Sequence, residues 1–245
     1  MIFSKKHSFL FLKGRKVGGT SVEMALSQLC GEQDIVTPIT PIDERERLKK
    51  GKGRARNFSY DKLQEDNYIG EIEKGNSARI PLARFYNHMP YHEVVKIMGD
   101  VSKKICIIYV ERSPYSKILS WANMQLSFKE YQVGNKMIAD LAQVRRFLDK
   151  QIENDGIMAV KNIGIYSGSE EHSTLPMRYE SLYEDFYELC INSLEVKIPP
   201  LLPHAKKGLM ANRYSPTTIY SKKQIKLINE KFEDEFLKFD YEMIM

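Results

Sequence analysis

The sequence predicts an α/β fold in which helices flank a mostly parallel central sheet. Three observations predict this fold. The segments Ser8–Lys13 and Lys104–Val110 are short, apolar and bounded by polar residues, as buried parallel strands are. A loop containing glycine or proline follows each of them. An amphipathic segment with helical spacing comes after each loop, and alternation of strands with helices is typical of parallel sheets covered on both faces.

The first predicted strand leads through a glycine-containing loop into a helix. Ser8–Lys13 ends at Gly14, and Thr20 and Ser21 begin a helix that extends to about Leu29. Because the apolar residues of this helix recur on one face, we expect it to pack on the sheet.

The later elements are predicted from apolar periodicity and from the positions of proline and glycine. In chain order they are the helix Tyr91–Met98, the strand Lys104–Val110, the helices Tyr115–Ser127 and Lys136–Ile152, the strand Thr174–Tyr179, and the helices Leu182–Leu194 and Ser221–Phe239. Together they fit a single domain over residues 1–245.

The stretch 43–80 differs in composition from the rest of the chain. It carries many charges and few large apolar residues, and it includes the basic tract Lys49–Arg56. Such a composition is typical of an insertion, a mobile lid or partly disordered chain.

The net charge of +5, from 37 Lys and Arg against 32 Asp and Glu, fits an anionic ligand but is too small to indicate nucleic acid. A solvated charged surface is the alternative. The three cysteines are far apart in sequence and form neither a disulfide framework nor a CxxC site, which favours a reducing, cytoplasmic compartment. No apolar stretch has the length of a signal-peptide core or of a membrane span.

The first polar motif is Lys-Gly-Arg-Lys-Val-Gly-Gly-Thr-Ser, residues 13–21, between the first strand and the first helix. Backbone N–H groups of such a loop and the helix dipole favour an anionic group, and Gly18 and Gly19 let the chain close around it. Thr20 and Ser21 add hydroxyl donors, and Lys16 can reach the same anion. An ordinary strand-to-helix turn that uses glycine for tight geometry is the alternative.

This loop differs from a Walker A loop, which ends in Gly-Lys-Ser/Thr. Gly18-Gly19 stands where that pattern has Gly-Lys, and the lysine precedes the glycines. No obvious Mg²⁺ carboxylate follows the second strand, although Glu111 stands near that place. These departures weigh against ATP or GTP hydrolysis.

The second polar motif, Arg112-Ser113-Pro114, follows the strand Lys104–Val110, and Ser120 stands two helical turns later. The guanidinium of Arg112 offers a planar fork suited to a phosphate group. Because ligands of parallel sheets bind at the carboxyl ends of the strands, we expect both motifs at one edge of the sheet.

Together the two motifs resemble those of the sulfotransferases that use 3′-phosphoadenosine 5′-phosphosulfate (PAPS). Residues 16–21 resemble the 5′-phosphosulfate loop of that family, Lys-Thr-x-Gly-Thr-Ser, with Val17 in place of the threonine. Arg112-Ser113-Pro114 with Ser120 resembles its 3′-phosphate motif, with Ser113 in place of Asp or Asn. The resemblance implies a sulfotransferase fold related to that of P-loop NTPases.

Three further segments are similar to the family more loosely. Asn87-His88 resembles the histidine-containing segment of carbohydrate-type members, and residues 178–182 resemble a segment that approaches the adenine. Residues 202–208 resemble a late loop whose basic residues close over the 3′-phosphate. The stretch 43–80 has no counterpart in the family core and is expected to influence acceptor specificity.

The resemblance implies a role for each matching residue. Lys16 and His88 are the expected catalytic residues, as the cation near the bridging oxygen and as the base. The expected donor-binding residues are Lys16, Gly18, Gly19, Thr20, Ser21, Arg112, Ser120, Tyr179, Lys206, Lys207 and Gly208. PAPS is the expected co-substrate, without a metal, and the acceptor a carbohydrate or small molecule.

Several alternatives remain open. Glu111 is another possible base, or else an ion-pair partner of Arg112 or Lys117, and His88 could simply cap or pack at the start of a helix. The whole chain could instead be a P-loop kinase or NTPase. A non-catalytic module that binds nucleic acid or another anion through Lys49–Arg56 is the third possibility.

Overall fold

The computed structural model describes residues 1–49, 53–99, 101–102, 104–132, 140–203 and 216–245, with backbone alone over 128–132. The chain divides into two compact units, which are described separately below. Unit 1 comprises Met1–Gly14, Gly18–Val110 and Gly164–Ala205, and unit 2 comprises Arg15–Val17, Glu111–Ile163 and Lys206–Met245.

The described part of unit 1 is built on a five-stranded sheet, in the order β3-β1-β2-β4-β5. The strands are β1 (Ile2–Ser4), β2 (Phe9–Leu12), β3 (Ile35–Val36), β4 (Cys106–Glu111) and β5 (Thr174–Arg178). β1 pairs antiparallel with β2 and with β3, whereas β2 pairs parallel with β4. The predicted α/β fold with parallel strands at its centre is confirmed. The antiparallel β1 and the short β3 are additions that the sequence did not predict.

The parallel pair β2 and β4 positions both polar motifs. Leu12, the last residue of β2, lies opposite Tyr109, two residues before the end of β4. All four residues of β2 are fully buried, which explains their continuous apolar character. Because the two strands run in the same direction, the chain leaves both of them at the same edge of the sheet.

The described helices include those predicted and four that the sequence did not predict, the second, third, seventh and ninth in chain order. They are α1 (Gly19–Leu26), α2 (Pro41–Lys49), α3 (Lys62–Glu73), α4 (Tyr91–Met98), α5 (Pro114–Gln132), α6 (Leu141–Glu153), α7 (Ile163–Tyr166), α8 (Leu182–Glu188), α9 (Pro216–Ile219), α10 (Lys222–Lys231) and α11 (Glu233–Lys238). None of these helices is long and apolar enough to cross a bilayer.

Five predicted helices differ from the observed ones at their boundaries. α1 ends at Leu26 instead of about Leu29, and α5 continues to Gln132 instead of ending at Ser127. The predicted helix Ser221–Phe239 is two helices, α10 and α11, with Phe232 between them in a non-helical conformation. The helix predicted from Leu182 continues past α8 as a π-helical turn, Leu189–Ser193. The helix predicted to begin at Lys136 begins at Leu141 after the capping residue Asp140, and residues 136–139 lie outside the described part.

In the described part of the charged stretch 43–80, unit 1 contains α3 and most of α2. Arg47 and Glu44 form an ion pair between fully buried side chains on α2. Glu44 also accepts a hydrogen bond from the backbone N–H of Ala55 at 3.0 Å. A buried ion pair with an additional hydrogen bond ties the chain after α2 to that helix.

The hydrophobic core of unit 2 lies among α5, α6, α10 and α11. Its buried members include Trp121, Val144, Leu148, Ile228, Phe232 and Phe236. The predicted apolar faces of these helices supply this core, as amphipathic spacing requires.

Candidate functional site

Lys13, at the end of β2, is joined to α1 by a buried ion pair in unit 1. Its Nζ lies 2.7 Å from Glu23 Oε2, and the side chains are 4% and 0% exposed. Burial alone would raise the pKa of the Glu23 carboxyl, but the neighbouring cations, Lys13 foremost, hold that pKa at about 2. The carboxylate therefore stays ionised and fixes the first helix against the strand end.

Gly18 and Gly19 occupy positions that larger residues would not fit. Gly18 precedes α1 in the left-handed conformation, with φ of 80°, and a Cβ there would lie 2.9 Å from the Tyr179 ring. A Cβ on Gly19 would lie 2.9 Å from Lys13 Cγ. Glycine is therefore required at position 18 for two reasons: the positive φ disfavours other residues, and the Tyr179 ring leaves no room for a Cβ.

The N-terminus of α1 is built as an anion site would require. Its N-cap residue, Gly18, makes no side-chain capping bond, and its first turn carries no acidic residue. The hydrogen bond from Ser21 N–H to Gly18 O, at 3.0 Å, closes the turn around Gly19 and Thr20. A helix N-terminus that begins with glycines suits a phosphate-like group.

Tyr179 packs against this turn in unit 1. Its ring carbons lie within van der Waals distance of Gly18, and its side chain is 38% exposed. The predicted adenine-side aromatic and the predicted 5′-phosphosulfate loop are therefore neighbours. An aromatic ring beside the loop is of the kind that stacks with a planar base.

His88 lies beside the end of β2 in the same unit. Its Nδ1 is 3.0 Å from the backbone oxygen of Lys13, and because a carbonyl oxygen only accepts, this geometry assigns the ring proton to Nδ1. Burial, assisted by the charge of Lys13, lowers the pKa of His88 to about 3. The imidazole is therefore neutral at pH 7, with Nε2 as its basic atom.

In unit 2, the lysine of the first motif and the arginine of the second lie next to each other. Arg112 Nη1 lies 3.5 Å from the backbone oxygen of Lys16, and Arg112 Nε donates to Ser116 Oγ at 2.7 Å. The Lys16 ammonium lies 3.3 Å from Met124 Sδ. Two cations of the predicted donor site thus come from adjacent positions, although 96 residues separate them in sequence.

Glu111 forms an ion pair with Lys117, one of the alternatives that the sequence left open. Its Oε1 accepts from Lys117 Nζ at 2.8 Å and from the backbone N–H of Arg112 at 2.8 Å. Burial raises the pKa of Glu111 to about 7, with Lys117 opposing the rise and Glu235 adding to it. Glu111 is 2% exposed, which places it within the protein interior.

The remaining predicted donor-binding residues divide into two groups. Ser120 is on α5 and is 8% exposed. Lys206, Lys207 and Gly208 lie outside the described residues.

Sequence reasoning missed three polar residues around the motifs. Ser116, which holds the Arg112 guanidinium, stands one helical turn after it, so its spacing could have indicated this contact. Glu235 interrupts the apolar face formed by Phe232, Phe236 and Phe239, which is a signal of a buried charge. Asn162, which bonds to the backbone of Arg15, has no pattern around it that could have indicated its partner.

Other features of the described residues lie away from the motifs. A cavity of about 720 Å³ in unit 1 is lined by α3 and by residues 78–83, and it contains none of the predicted site residues. No three His, Cys, Asp or Glu side chains in the described ranges are grouped as a metal ion would require.

No protein-family model and no curated protein sequence matches this chain. Among solved structures, a sulfotransferase from Alicyclobacillus acidocaldarius is similar to it, with 15% sequence identity and a TM-score of 0.45. The similarity covers 95% of this chain and 94% of that protein.

Proposed function

We propose that this chain is a sulfotransferase that transfers a sulfuryl group from PAPS to an acceptor hydroxyl. The observation that carries the proposal is the contact between Arg112 and the backbone of Lys16 in unit 2. PAPS has a phosphosulfate at one end and a 3′-phosphate at the other. A guanidinium from one phosphate-type motif that contacts the backbone of the other motif suits a nucleotide with an anionic group at each end.

The first motif is proposed to bind the 5′-phosphosulfate. The glycine-rich turn before α1, the hydroxyl groups of Thr20 and Ser21, and the dipole of the helix N-terminus suit an anionic group. Lys16 neutralises the negative charge that develops on the bridging oxygen as the sulfur–oxygen bond breaks. Sulfuryl transfer resembles phosphoryl transfer in its loose, in-line transition state, so positioning and electrostatics dominate the rate.

The second motif is proposed to bind the 3′-phosphate. Arg112 supplies the guanidinium, Ser116 orients it through the hydrogen bond at 2.7 Å, and Ser120 adds a hydroxyl. Tyr179, whose ring lies beside Gly18, is proposed to contact the adenine. By resemblance, Lys206, Lys207 and Gly208 are proposed as further ligands of the 3′-phosphate.

His88 is proposed as the base that removes the proton of the acceptor hydroxyl, through Nε2. Replacing His88 with alanine should lower turnover about 10²–10⁴-fold, the range for general bases, and leave binding of 3′-phosphoadenosine 5′-phosphate nearly intact. Because the pKa of the free-enzyme imidazole is about 3, the base remains unprotonated down to that pH. The contribution of His88 to kcat/KM is the ratio of the wild-type value to that of the alanine variant. This ratio should therefore stay constant from pH 5 to pH 8 in steady-state measurements.

An alanine variant with near wild-type turnover would remove His88 from this role. An inflection of kcat/KM between pH 6 and pH 7 that disappears in the alanine variant would support the role of His88 as the base, but it would contradict the lowered pKa that burial sets.

The acceptor is proposed to be a carbohydrate, because the Asn87-His88 segment resembles carbohydrate-type members of the family. The stretch 43–80 is proposed to influence which acceptor binds. Its basic tract has partners in unit 1: Lys49 lies 3.0 Å from Glu46, and Arg54 lies 3.7 Å from Glu73. These pairs weigh against a surface dedicated to a nucleic-acid backbone.

Two experiments test the function. Labelled sulfate from PAPS should be transferred to at least one member of a carbohydrate and small-molecule panel. In a thermal-shift panel, 3′-phosphoadenosine 5′-phosphate should stabilise the protein without metal. Stabilisation only by ATP with Mg²⁺ would indicate a kinase, and stabilisation only by a polynucleotide would indicate a binding module.

A further inference from the structure

The side-chain amide of Asn162 bonds to the backbone of Arg15, within unit 2. Its Oδ1 accepts from Arg15 N–H at 2.7 Å, and its Nδ2 donates to Arg15 O at 3.1 Å. Asn162 is fully buried. The Asn162 amide accepts from the peptide group before Arg15 and donates to the peptide group after it. It therefore fixes the orientation of both peptide planes.

The residue that follows Arg15 is held in an unfavourable conformation. Lys16 has φ of 63°, in the left-handed region that non-glycine residues rarely occupy. Such a conformation persists only where the surrounding structure determines it. The two hydrogen bonds at Arg15 O and N are the contacts that fix the chain directly before Lys16.

Asn162 is itself held by a buried charge cluster, which consists of Glu111, Lys117 and Glu235. The backbone N–H groups of Asn162 and Ile163 both donate to the Glu235 carboxylate, the latter at 3.0 Å. Lys117 Nζ donates to Glu235 and, at 2.8 Å, to Glu111. The three side chains are between 0% and 2% exposed, so solvent does not weaken these bonds.

The same cluster also supports the second motif. Glu111 Oε1 accepts from the backbone N–H of Arg112 at 2.8 Å and lies 3.4 Å from Asn162 Nδ2. One carboxylate therefore lies between the backbone that presents Arg112 and the side chain that holds Arg15. Neither Asn162 nor the cluster is among the residues that the motifs assign to the donor.

We propose that Asn162 is a positioning residue that sets the backbone of Arg15 and Lys16, and thereby the place of the Lys16 ammonium relative to Arg112. It acts through these residues and not by touching a substrate. Its effect on the rate rests on the proposed function, whereas its effect on the loop does not.

Amide hydrogen exchange tests the positioning directly, without a substrate. In Asn162→Ala, exchange of the amides of residues 15–18 should become at least tenfold faster than in the wild type. The matched control is Gln224→Ala: the Gln224 side chain accepts from Ser221 N–H at 2.8 Å and donates to Asp149 at 2.6 Å in the same unit. In this control the loop amides should exchange at the wild-type rate.

Unchanged exchange over residues 15–18 in Asn162→Ala would overturn the proposal, as would equal acceleration in Gln224→Ala. If Asn162→Ala does not fold, the wild type still decides the matter. By NMR, the Arg15 amide, bonded at 2.7 Å, should exchange at least tenfold more slowly than an unstructured amide of the same sequence. Exchange at the unstructured rate would overturn the proposal.

Kinetics supply a readout that a purely structural role would not move. In Asn162→Ala, kcat/KM for PAPS should fall roughly 10–100-fold, the effect expected of a small displacement of a catalytic group. The acceptor KM should stay within twofold, and Gln224→Ala should keep wild-type values. A fall in kcat/KM for the acceptor, with kcat/KM for PAPS unchanged, would overturn the positioning role. Failure of the wild type to bind 3′-phosphoadenosine 5′-phosphate would instead overturn the proposed function, and the exchange result would stand.

Discussion

β2 and β4 are each followed by a polar motif, and each strand end lies beside a cluster of buried charges. The two clusters differ in the ratio of cations to carboxylates. At the end of β2, Glu23 is surrounded by cations, and Lys13 is the one that lowers its pKa most. At the end of β4, Glu111 and Glu235 share one lysine, Lys117. The pKa of Glu23 is lowered to about 2, whereas that of Glu111 is raised to about 7.

Burial alone therefore does not decide whether a buried carboxyl group is ionised at neutral pH. Both are almost completely buried, so desolvation acts on both in the same direction. An excess of cations reverses that effect at Glu23, and a second carboxylate prevents the reversal at Glu111. The first strand end is therefore permanently charged at neutral pH, and the second can take up a proton near it.

The largest expected effect comes from breaking the first pair. Glu23→Gln leaves the buried Lys13 ammonium without a charged partner, which should lower the free energy of unfolding by about 3–5 kcal/mol at pH 7. Because the pKa of Glu23 is lowered, its contribution is present above its ordinary value of 4.5 and is lost as the pH falls towards about 2. Urea unfolding at pH 7 and at pH 3 measures both statements.

The control for that variant is Glu46→Gln. Glu46 pairs with Lys49 at 3.0 Å, but the two side chains are 46% and 71% exposed. Its removal should change the free energy of unfolding by about 0–1 kcal/mol. A Glu23→Gln variant as stable as this control would contradict the account of the first strand end.

The second prediction separates the chemistry of the two motifs. Lys16→Ala should lower kcat about 10²–10³-fold, because its charge stabilises the transition state more than the bound donor. Arg112→Ala should chiefly weaken binding of 3′-phosphoadenosine 5′-phosphate, by roughly 10–100-fold, the loss expected for a charged hydrogen-bond donor. Steady-state kinetics and calorimetry measure the two effects, and equal, small losses in both variants would contradict this division.

The third prediction concerns the second strand end and pH. Because the folded-state pKa of Glu111 is about 7, above its ordinary 4.5, the folded protein keeps this proton longer than the unfolded chain does. Stability from this group is therefore full below about pH 4.5 and falls as the pH rises to about 7, by on the order of 3 kcal/mol. Glu111→Gln should flatten the change in unfolding free energy between pH 5 and pH 8. The same slope in variant and wild type would contradict this prediction.

The smallest expected effect tests the turn beside Tyr179. Gly18→Ala should lower the free energy of unfolding by roughly 2–3 kcal/mol, from the positive φ and from overpacking against the ring. Gly75 also has a positive φ, 85°, but nothing lies within 4 Å of its Cβ position. Gly75→Ala should therefore cost about 1 kcal/mol. Thermal unfolding of both variants measures the part of the loss that comes from the contact with Tyr179. Equal losses of stability in the two variants would contradict this contact.

The elements that carry the motifs could be predicted because their own residues determine them. The buried run of β4 and the Pro90 and Gly99 boundaries of α4 are local signals, and α4 has the predicted bounds Tyr91–Met98. β1 and β3 escaped prediction because strands of three and two residues have no periodicity to detect. Their pairing depends on residues that lie elsewhere in the sequence.

The polar contacts around the motifs divide in the same way. The ion pair of Glu111 with Lys117 could be anticipated from their closeness in sequence. The partners of Asn162 and Glu235 could not, because they lie 147 residues and 118 residues away along the chain, at Arg15 and at Lys117. Sequence patterns report which side chain is buried, but long-range contacts decide what it bonds to.

Calorimetric titration with two nucleotides tests the central claim most directly. The account predicts that 3′-phosphoadenosine 5′-phosphate binds at least tenfold more tightly than adenosine 5′-phosphate, which lacks the 3′-phosphate, and that Arg112→Ala removes this preference. Equal affinity of the wild-type protein for the two nucleotides, or an undiminished preference in Arg112→Ala, would contradict it.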